Sequence, residues 1–524
     1  MHATLQSSND RLRELCSERL SPRRLILASN RGPIEYHLNQ GGQLEAHRGS
    51  GGIVTALSSL SKHVELDWIA SAMGEGDREA ARRAQGERFK VPLADENLHL
   101  RFVVTPRNIY HKYYSIICNP LLWFLQHYMW NASRSPNIDR VVHDAWNNGY
   151  VSVNQAFAQS VIAGVRGDEL PPIVILNDYH LYLASAYIRK QLPDPVIEHF
   201  THIPWPEAGY WQLLPDSMRQ LIIRSLCTAD IVGLQTARDV RNFLSCCQAF
   251  VDEAEIDYQQ RMAKINKHIV RVKACPVSID VTALKEIVSS ARIKEYEEKL
   301  RPLRGDQTIV RVDRVEPSKN IIRGFRSFDM LLERYPQFQG KVKFIAFLVP
   351  TRSHLKQYQR YSQEVLQLIE AINDKYRTEW WYPIDFFHEN NYIQAMAGLR
   401  LYDVLLVNAV IDGMNLVAKE GPLINNNDGV LILSETVGAC EQLGQKALTV
   451  APADLEGTMQ SLYEALTMPP DKRSKYATEL KSLIEKEDST DWLLHLLDDA
   501  VTLAQERSET SSGGNALHQL PHLG

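Results

Sequence analysis

Short apolar runs recur along the chain from Leu25 onward, each bounded by polar or turn-forming residues. The first series is Leu25–Asn30 (LILASN), Ile173–Asn177 (IVILN), Val196–Ile203 (VIEHFTHI), Ile231–Leu234 (IVGL) and Ile269–Ile279. The second is Thr308–Val312, Val342–Leu348 (VKFIAFL), Ile384–Phe387, Val404–Val407 (VLLV), Val430–Leu433 (VLIL) and Leu448–Val450. Helical stretches such as Leu181–Leu192 and Lys356–Tyr376 lie between them. Runs rich in Val, Ile and Leu that alternate with helices predict parallel strands buried on both faces. Two such series predict an α/β protein of two doubly wound domains, divided near Pro276–Asp280, where a strand ends in CPVSID. An amphipathic stretch to about Arg24 precedes the first strand. From Ser508 the chain turns small and polar (SETSSGGNALHQLPHLG), which predicts a disordered tail.

Composition narrows the class. The chain has 524 residues, with 58 Lys and Arg against 63 Asp and Glu, a formal net charge of −5. A general nucleic-acid binder should carry a basic surplus instead. Disordered, collagen-like and disulfide-scaffold proteins are excluded by the overall residue usage. The seven cysteines, Cys16, Cys118, Cys227, Cys246, Cys247, Cys275 and Cys440, are odd in number and form no CxxC pair. They read as reduced, mostly buried thiols rather than a zinc or redox centre. The first residues, MHATLQSSNDRLRELCSERL, hold no apolar secretion core, and no run of about 18 apolar residues occurs. The expectation is a soluble enzyme of the cytoplasm.

In doubly wound sheets, ligands bind beyond the carboxyl ends of the strands, so the residues there carry the candidate chemistry. The first strand runs into Asn30-Arg31-Gly32-Pro33, and the glycine cluster Gly49-Ser50-Gly51-Gly52 leads into the helical pattern IVTALSSL. Glycines before a helix let backbone amides approach an anion, although an ordinary turn would look the same. Asp178 and His202 follow two further strands. Each could orient a sugar hydroxyl or manage a proton, but Asp178 could equally be a helix N-cap and His202 a hydrogen-bonded core residue. A metal site from His180, His199 and His202 fits no zinc spacing. Arg314 and Lys319 lie at the end of TIVRV and could clamp a diphosphate, with Arg352 after VKFIAFLVP as a further anion ligand. The bland alternative for each cation is a solvated surface position. After VLLV, Asp412 and Gly413 are expected to open a helix with its amides free. Glu420, about two turns on, would face the same way and could chelate a ribose diol.

Taken in order, the segments SNRGP, GSGGIVTAL, YYSIICNPLLW, NDYHL, HIPWP, GLQT, VDRVEPSK, DGMNLVAKE and SETVGACEQL resemble the trehalose-6-phosphate synthase family of retaining glycosyltransferases, over about Leu25 to Leu503. The resemblance implies two Rossmann-like doubly wound domains facing across a cleft (GT-B type). These would be an N-terminal extension over 1–24, an acceptor domain over 25–276, a nucleotide-sugar donor domain over 277–487, a helix over 488–507 crossing back to the first domain, and the tail 508–524. It implies transfer of glucose, with retention, from UDP-glucose or GDP-glucose to glucose 6-phosphate. Asp178, His202, Arg314, Lys319 and Asp412 would be catalytic. Gly52, His202, Arg314, Lys319, Asp412, Gly413, Met414, Asn415, Leu416, Val417 and Glu420 would bind the donor. Arg31, Tyr114, Trp123, Asp178 and Arg352 would bind the acceptor, the two arginines on its phosphate.

No cofactor or divalent metal is expected, because Arg314 and Lys319 can neutralise the leaving diphosphate and no DxD motif stands at a strand end. The incoming hydroxyl would attack on the face the leaving group departs from, and the departing phosphate oxygen would take the proton. The stretch Ile384–Tyr392 (IDFFHENNY) is expected to contact the base. No nucleic acid or membrane partner is expected, and a homo-oligomer is open.

Three segments depart from the family pattern: VEPSKN for LDYSKG, WIASAMGEGD for an SGW-type segment, and GPLINNNDG after Glu420. Such variants resemble a divergent branch that also contains validoxylamine-phosphate synthase-like pseudo-glycosyltransferases. They motivate an alternative acceptor, glycerol 3-phosphate or an aminocyclitol phosphate. A non-enzymatic regulatory subunit is a third reading, opposed by the intact Asp178, His202, Arg314, Lys319, Asp412 and Glu420.

Overall fold

The computed structural model describes residues 8–516 apart from residues 22, 50–53, 55–56, 93–96, 166 and 354. The chain forms two units. One runs from the start of the described chain to Val277 and resumes at Thr490; the other is Ser278–Ser489.

The first unit is built on twelve strands. They are β1 (Leu25–Ser29), β2 (Ile34–Leu38), β3 (Leu44–Arg48), β4 (Leu66–Ser71), β5 (Phe89–Lys90), β6 (Leu98–Val103), β7 (Ile173–Asn177), β8 (Val196–Phe200), β9 (Ile231–Leu234), β10 (Ala254–Asp257), β11 (Met262–Ile265) and β12 (His268–Ala274). Ten of them make one sheet in the order β10-β11-β12-β9-β8-β7-β1-β4-β6-β5, while β2 and β3 pair as a separate antiparallel ribbon. The sheet is parallel from β12 to β6, with antiparallel pairing only toward its edges. From β1 the chain winds outward through β4 and β6, then returns to β7 and winds the other way. The strand order therefore reverses between β1 and β7, which is where an open α/β sheet leaves a crevice for a ligand.

The second unit carries one six-stranded sheet, wholly parallel. Its strands are β13 (Gln307–Arg314), β14 (Val342–Val349), β15 (Ile384–Phe387), β16 (Val404–Val407), β17 (Val430–Ser434) and β18 (Leu448–Val450), ordered β15-β14-β13-β16-β17-β18. Here the reversal falls between β13 and β16. Helices pack on the sheet through a core that includes Phe325, Phe328, Phe344, Leu406, Ile432 and Leu462. Phe344 meets Phe325 and Phe328 edge to face, the geometry that aromatic quadrupoles favour.

The amphipathic start of the chain agrees with the sequence reading, and the C-terminal end departs from it. Residues 8–20 coil into helical turns that bury Leu12, Leu15, Cys16 and Leu20. The last helix, Ser489–Ala516, continues nine residues past the expected end at 507, so residues 508–516 are helical rather than disordered. Residues 517–524 lie outside the described residues. This helix packs on the first unit. Lys273 Nζ donates to the carbonyls of His495 (2.7 Å) and Leu496 (3.2 Å), Arg19 pairs with Asp498 at 2.8 Å, and Arg507 pairs with buried Asp230. All seven cysteines are free thiols; six are buried, and burial pushes Cys246 and Cys275 up to about 12. Among the described residues, no helix is long and apolar enough to cross a membrane.

Under that helix, Glu198 on β8 is fully buried, with Lys273 Nζ 3.4 Å away. Burial outweighs the lysine and raises the carboxyl from 4.5 to about 7. A carboxyl raised by folding stabilises the fold below its unfolded pKa, and that contribution is lost as pH rises through the folded value. Glu198→Gln should therefore gain about 2 kcal/mol relative to the wild type between pH 5 and pH 8. Urea unfolding at both pH values measures it; an equal difference at both would mean that Glu198 ionises freely.

Candidate active site

The second unit's site grows from the end of β13. Arg311, inside that strand, has no exposed surface, and its guanidinium forks onto Asp313 Oδ2 at 2.8 and 3.0 Å. It also donates to the carbonyls of Lys319 (3.0 Å) and Ile321 (3.3 Å). The loop beyond the strand is thus tied to a charge in the core. Gly324 makes room for this, since a Cβ there would sit 2.5 Å from Arg311 Nη1. Asn320, in the left-handed region at φ 57°, closes the turn and donates its amide to the carbonyls of Asn408 and Pro452. Val410 N–H reaches the carbonyl of Ser318 at 2.7 Å and joins the loops after β13 and β16.

The cations stand on this frame. Lys319 is 8% exposed, and its ammonium bonds Asp412 Oδ2. Arg314, half exposed, lies with Nη2 3.0 Å from the buried Glu316 carboxylate. Arg352, after β14, is not a solvated surface cation. Its Nη1 donates to Tyr358 Oη at 2.6 Å and lies 3.3 Å from Glu316 Oε2, and its backbone is left-handed at φ 46°. Arg352 therefore clusters with Arg314 and Lys319 in the second unit, whereas Arg31 belongs to the first. Glu316, Arg311, Asn320 and Tyr358 were not among the sequence candidates. Glu316 and Asn320 carried a signal, both as part of the variant VEPSKN segment.

After β16 the expectation needs correction, because the helix begins at Val417 and not at Asp412. Residues 412–416 form a loop, with Asn415 left-handed at φ 67° and its amide donated to Asp412 Oδ2 at 3.1 Å. Among the described residues, the backbone N–H groups of Gly413, Met414, Asn415, Leu416 and Val417 donate to no protein acceptor. Their carbonyl side is buttressed instead. Gly438 N–H bonds the Asp412 carbonyl and Ala439 N–H the Met414 carbonyl, both at 3.1 Å, and a Cβ on Gly438 would collide with the Gly413 carbonyl. Five consecutive amides in a braced loop, followed by a helix N-terminus, make a ready anion cradle. Glu420 sits in the first turn of that helix. It accepts from Tyr392 Oη at 3.3 Å, and burial raises its carboxyl to about 7.

The first unit gathers a second set, at the β1–β7 switch point. Asp178 follows β7 with φ 71° and does not cap the next helix; its Oδ1 accepts from His202 N–H at 3.1 Å. His202 lies 8% exposed, with Nε2 3.2 Å from Asn177 Oδ1 and Nδ1 without a partner. Burial lowers its pKa to about 3, so the imidazole is neutral. Tyr114 is stacked between Tyr110 (5.5 Å, 12°) and His180 (6.1 Å, 13°), and Tyr110 donates to Asn30 Oδ1 at 3.2 Å. Trp123 is 2% exposed, stacked on His127 with ring centroids 3.9 Å apart. Arg31 is exposed, 3.6 Å from Glu35, and lines a cavity of about 460 Å³ with Glu35, Tyr36, Met73, Gly74 and Asp77. The variant WIASAMGEGD segment forms one wall of it. Gly52 lies outside the described residues. Among those residues, the one cluster with metal-ligand spacing is Glu65, Asp67 and His99, where Arg88 pairs with both carboxylates; His180, His199 and His202 form none.

Two parallel-sheet units with their polar residues gathered at the switch points, one of them carrying a cradle of cations and amides, define a transferase of the two-unit α/β class called GT-B. The sequence pattern of glycosyltransferase family 20 matches residues 23–502, and the chain belongs to that family. The Schizosaccharomyces pombe alpha,alpha-trehalose-phosphate synthase (UDP-forming) is 29% identical over 504 residues, covering 93% of this chain and 92% of that protein. An E. coli trehalose-6-phosphate structure bound with UDP-2-fluoro glucose is similar at TM-score 0.78 and 25% identity, covering 91% of this chain and 99% of that one. A Burkholderia xenovorans alpha,alpha-trehalose-phosphate synthase (UDP-forming) in complex with glucose-6-phosphate has TM-score 0.77 and 25% identity, covering 91% and 99%.

The left-handed backbone at Asn415 gives a direct test of the cradle. Asn415→Gly and Asn415→Ala both lose the bond to Asp412 and the one accepted from Ala418 N–H, but the alanine must also hold a Cβ at positive φ. The alanine variant should be the less stable by about 1 kcal/mol, the reverse of ordinary helix and loop preferences. Equal unfolding midpoints in urea would mean that the loop relaxes.

Proposed function

We propose that the chain forms trehalose 6-phosphate by moving glucose, with retention, from UDP-glucose to glucose 6-phosphate. The observation that carries this reading is the cradle of the second unit, where the free amides of Gly413 to Val417 follow Asp412, the partner of Lys319. Cleaving the bond from the anomeric carbon to UDP puts negative charge on the departing phosphate. Fixed cations and amides that need not reorganise are the strongest stabilisers of such charge. Arg314 and Lys319 do this work without a divalent ion, Asp412 holds hydroxyls of the donor glucose, and Glu420 holds the ribose diol.

The 1-hydroxyl of glucose 6-phosphate attacks on the face that UDP leaves. A new bond forms between its oxygen and the anomeric carbon as the old one breaks, and the hydroxyl proton passes to the departing phosphate oxygen. Asp178 and His202 serve as hydroxyl ligands. A histidine with its pKa lowered to about 3 stays neutral and hydrogen-bonds a sugar without adding charge. Arg31 at its cavity, Arg352, Trp123 and Tyr114, which is held between Tyr110 and His180, are read as acceptor contacts, the two arginines on its phosphate. The variant wall of that cavity leaves the acceptor as the point to test first.

Purified protein offered glucose 6-phosphate with UDP-glucose should release UDP and an α,α-1,1-linked disaccharide phosphate, followed by NMR. Turnover only with glycerol 3-phosphate or an aminocyclitol phosphate would replace the acceptor, and turnover only with GDP-glucose would replace the donor. Lys319→Ala should lower turnover about 100-fold, the loss seen when one transition-state donor is removed. Near-normal turnover would remove Lys319 from the reaction. Activity should also survive EDTA; loss restored by a divalent ion would overturn the metal-free reading.

A further inference from the structure

The loop after β13 gathers more positive charge than a single ion pair would require, and one carboxylate lies at its centre. Glu316 has no exposed surface. Arg314 Nη2 is 3.0 Å and Lys319 Nζ 3.9 Å from its Oε1, while Arg352 Nη1 is 3.3 Å from its Oε2. Ser318 adds a hydroxyl at 3.4 Å. Two arginines from two loops thus share the two oxygens of one side chain, while Lys319, whose hydrogen bond is to Asp412, lies beside them. Arg352 arrives there on left-handed backbone and is held from a second side by the Tyr358 hydroxyl.

We propose that Glu316 is a positioning residue that presets Arg314, with Lys319 at longer range, as a clamp for a nucleoside diphosphate and holds Arg352, the acceptor-phosphate candidate, in place beside them. Long cationic side chains that repel one another would spread apart if left to themselves, and ordering them would count against binding. An arginine fork grips a phosphate only when its plane is set in advance. The shared carboxylate supplies that order. Coulomb's law alone works the other way, because a negative charge beside an anion site weakens the anion's binding. The direction of change on neutralising Glu316 therefore separates a positioning residue from a bystander.

The inference rests on the reading of Arg314 and Lys319 as diphosphate ligands. Its probe is UDP alone, whose binding does not depend on which acceptor is used. Calorimetric titration of the full chain should show Glu316→Gln binding UDP about tenfold more weakly than wild type, the scale of one lost hydrogen bond to a charged group. Glu316→Asp keeps the charge on a shorter arm and should fall between the two, a partial rescue that a purely structural loss would not give. If the glutamine variant fails to fold, the aspartate variant carries the test, with UDP binding about threefold weaker expected. Unchanged or tighter UDP binding in the variant measured would overturn the positioning role. A wild-type chain that binds UDP yet forms no disaccharide phosphate would overturn the proposed reaction and leave this inference standing; one that does not bind UDP would overturn both.

Discussion

Arg311 lies in the middle of a sheet, out of reach of water, and a guanidinium there is tolerable only if its donors are met. The fold meets them with Asp313 and with two carbonyls from the adjoining loop, so the cost of burying a charge becomes the reason the loop has one shape. Asp313 is itself pushed upward by burial and kept in place by Arg311 beside it. From this pair the order spreads outward. Lys319 is delivered to Asp412, Asn320 ties the turn to Asn408, and Ser318 takes the amide of Val410. A break at the buried pair would reach every one of these contacts.

The two halves of the chemistry differ in their electrical character. The second unit works with full charges: Arg314, Lys319 and Arg352 set against Glu316 and Asp412, beside a row of amides. The first, apart from Asp178 and Arg31, works with neutral groups. His202 is kept uncharged by its surroundings, Tyr114 is fixed by stacked rings, and Asn30 and Asn177 contribute amide oxygens. A leaving diphosphate calls for charge, whereas sugar hydroxyls call for directed hydrogen bonds, and the division matches those demands.

Much of this is legible in the sequence because a strand buried on both faces leaves a distinct print. VLLV, IVGL and IVILN are apolar throughout, and the polar residues just beyond each run stand out against it. Arg314, Lys319 and Asp412 come to notice in that way. The print fails where a central strand carries polar residues of its own. β4 reads LDWIAS, and its Asp67 looks like a breaker until Arg24 and Arg88 are seen to neutralise it. Asp412-Gly413 resembles a helix opening because the composition is right for one; the true start at Val417 depends on Gly438 and Ala439 bracing the loop from elsewhere. Glu316 stood out only as part of a variant segment, and its role could not be read because it depends on Arg352, 36 residues away. The serines and glycines after Ser508 suggest coil, yet the helix that Arg507 anchors on Asp230 carries through to Ala516.

The last helix closes the first unit across an interval of 212 residues that belong to the second. During synthesis the second unit, continuous in sequence, emerges whole before the helix that completes the first. Until then Lys273 lacks the helix carbonyls that it will bond, and Asp230 still awaits Arg507. The unit begun first is thus the one completed last. The earlier-made sheet must stay open at that face, and so exposed to wrong partners, for as long as the ribosome takes to finish the chain.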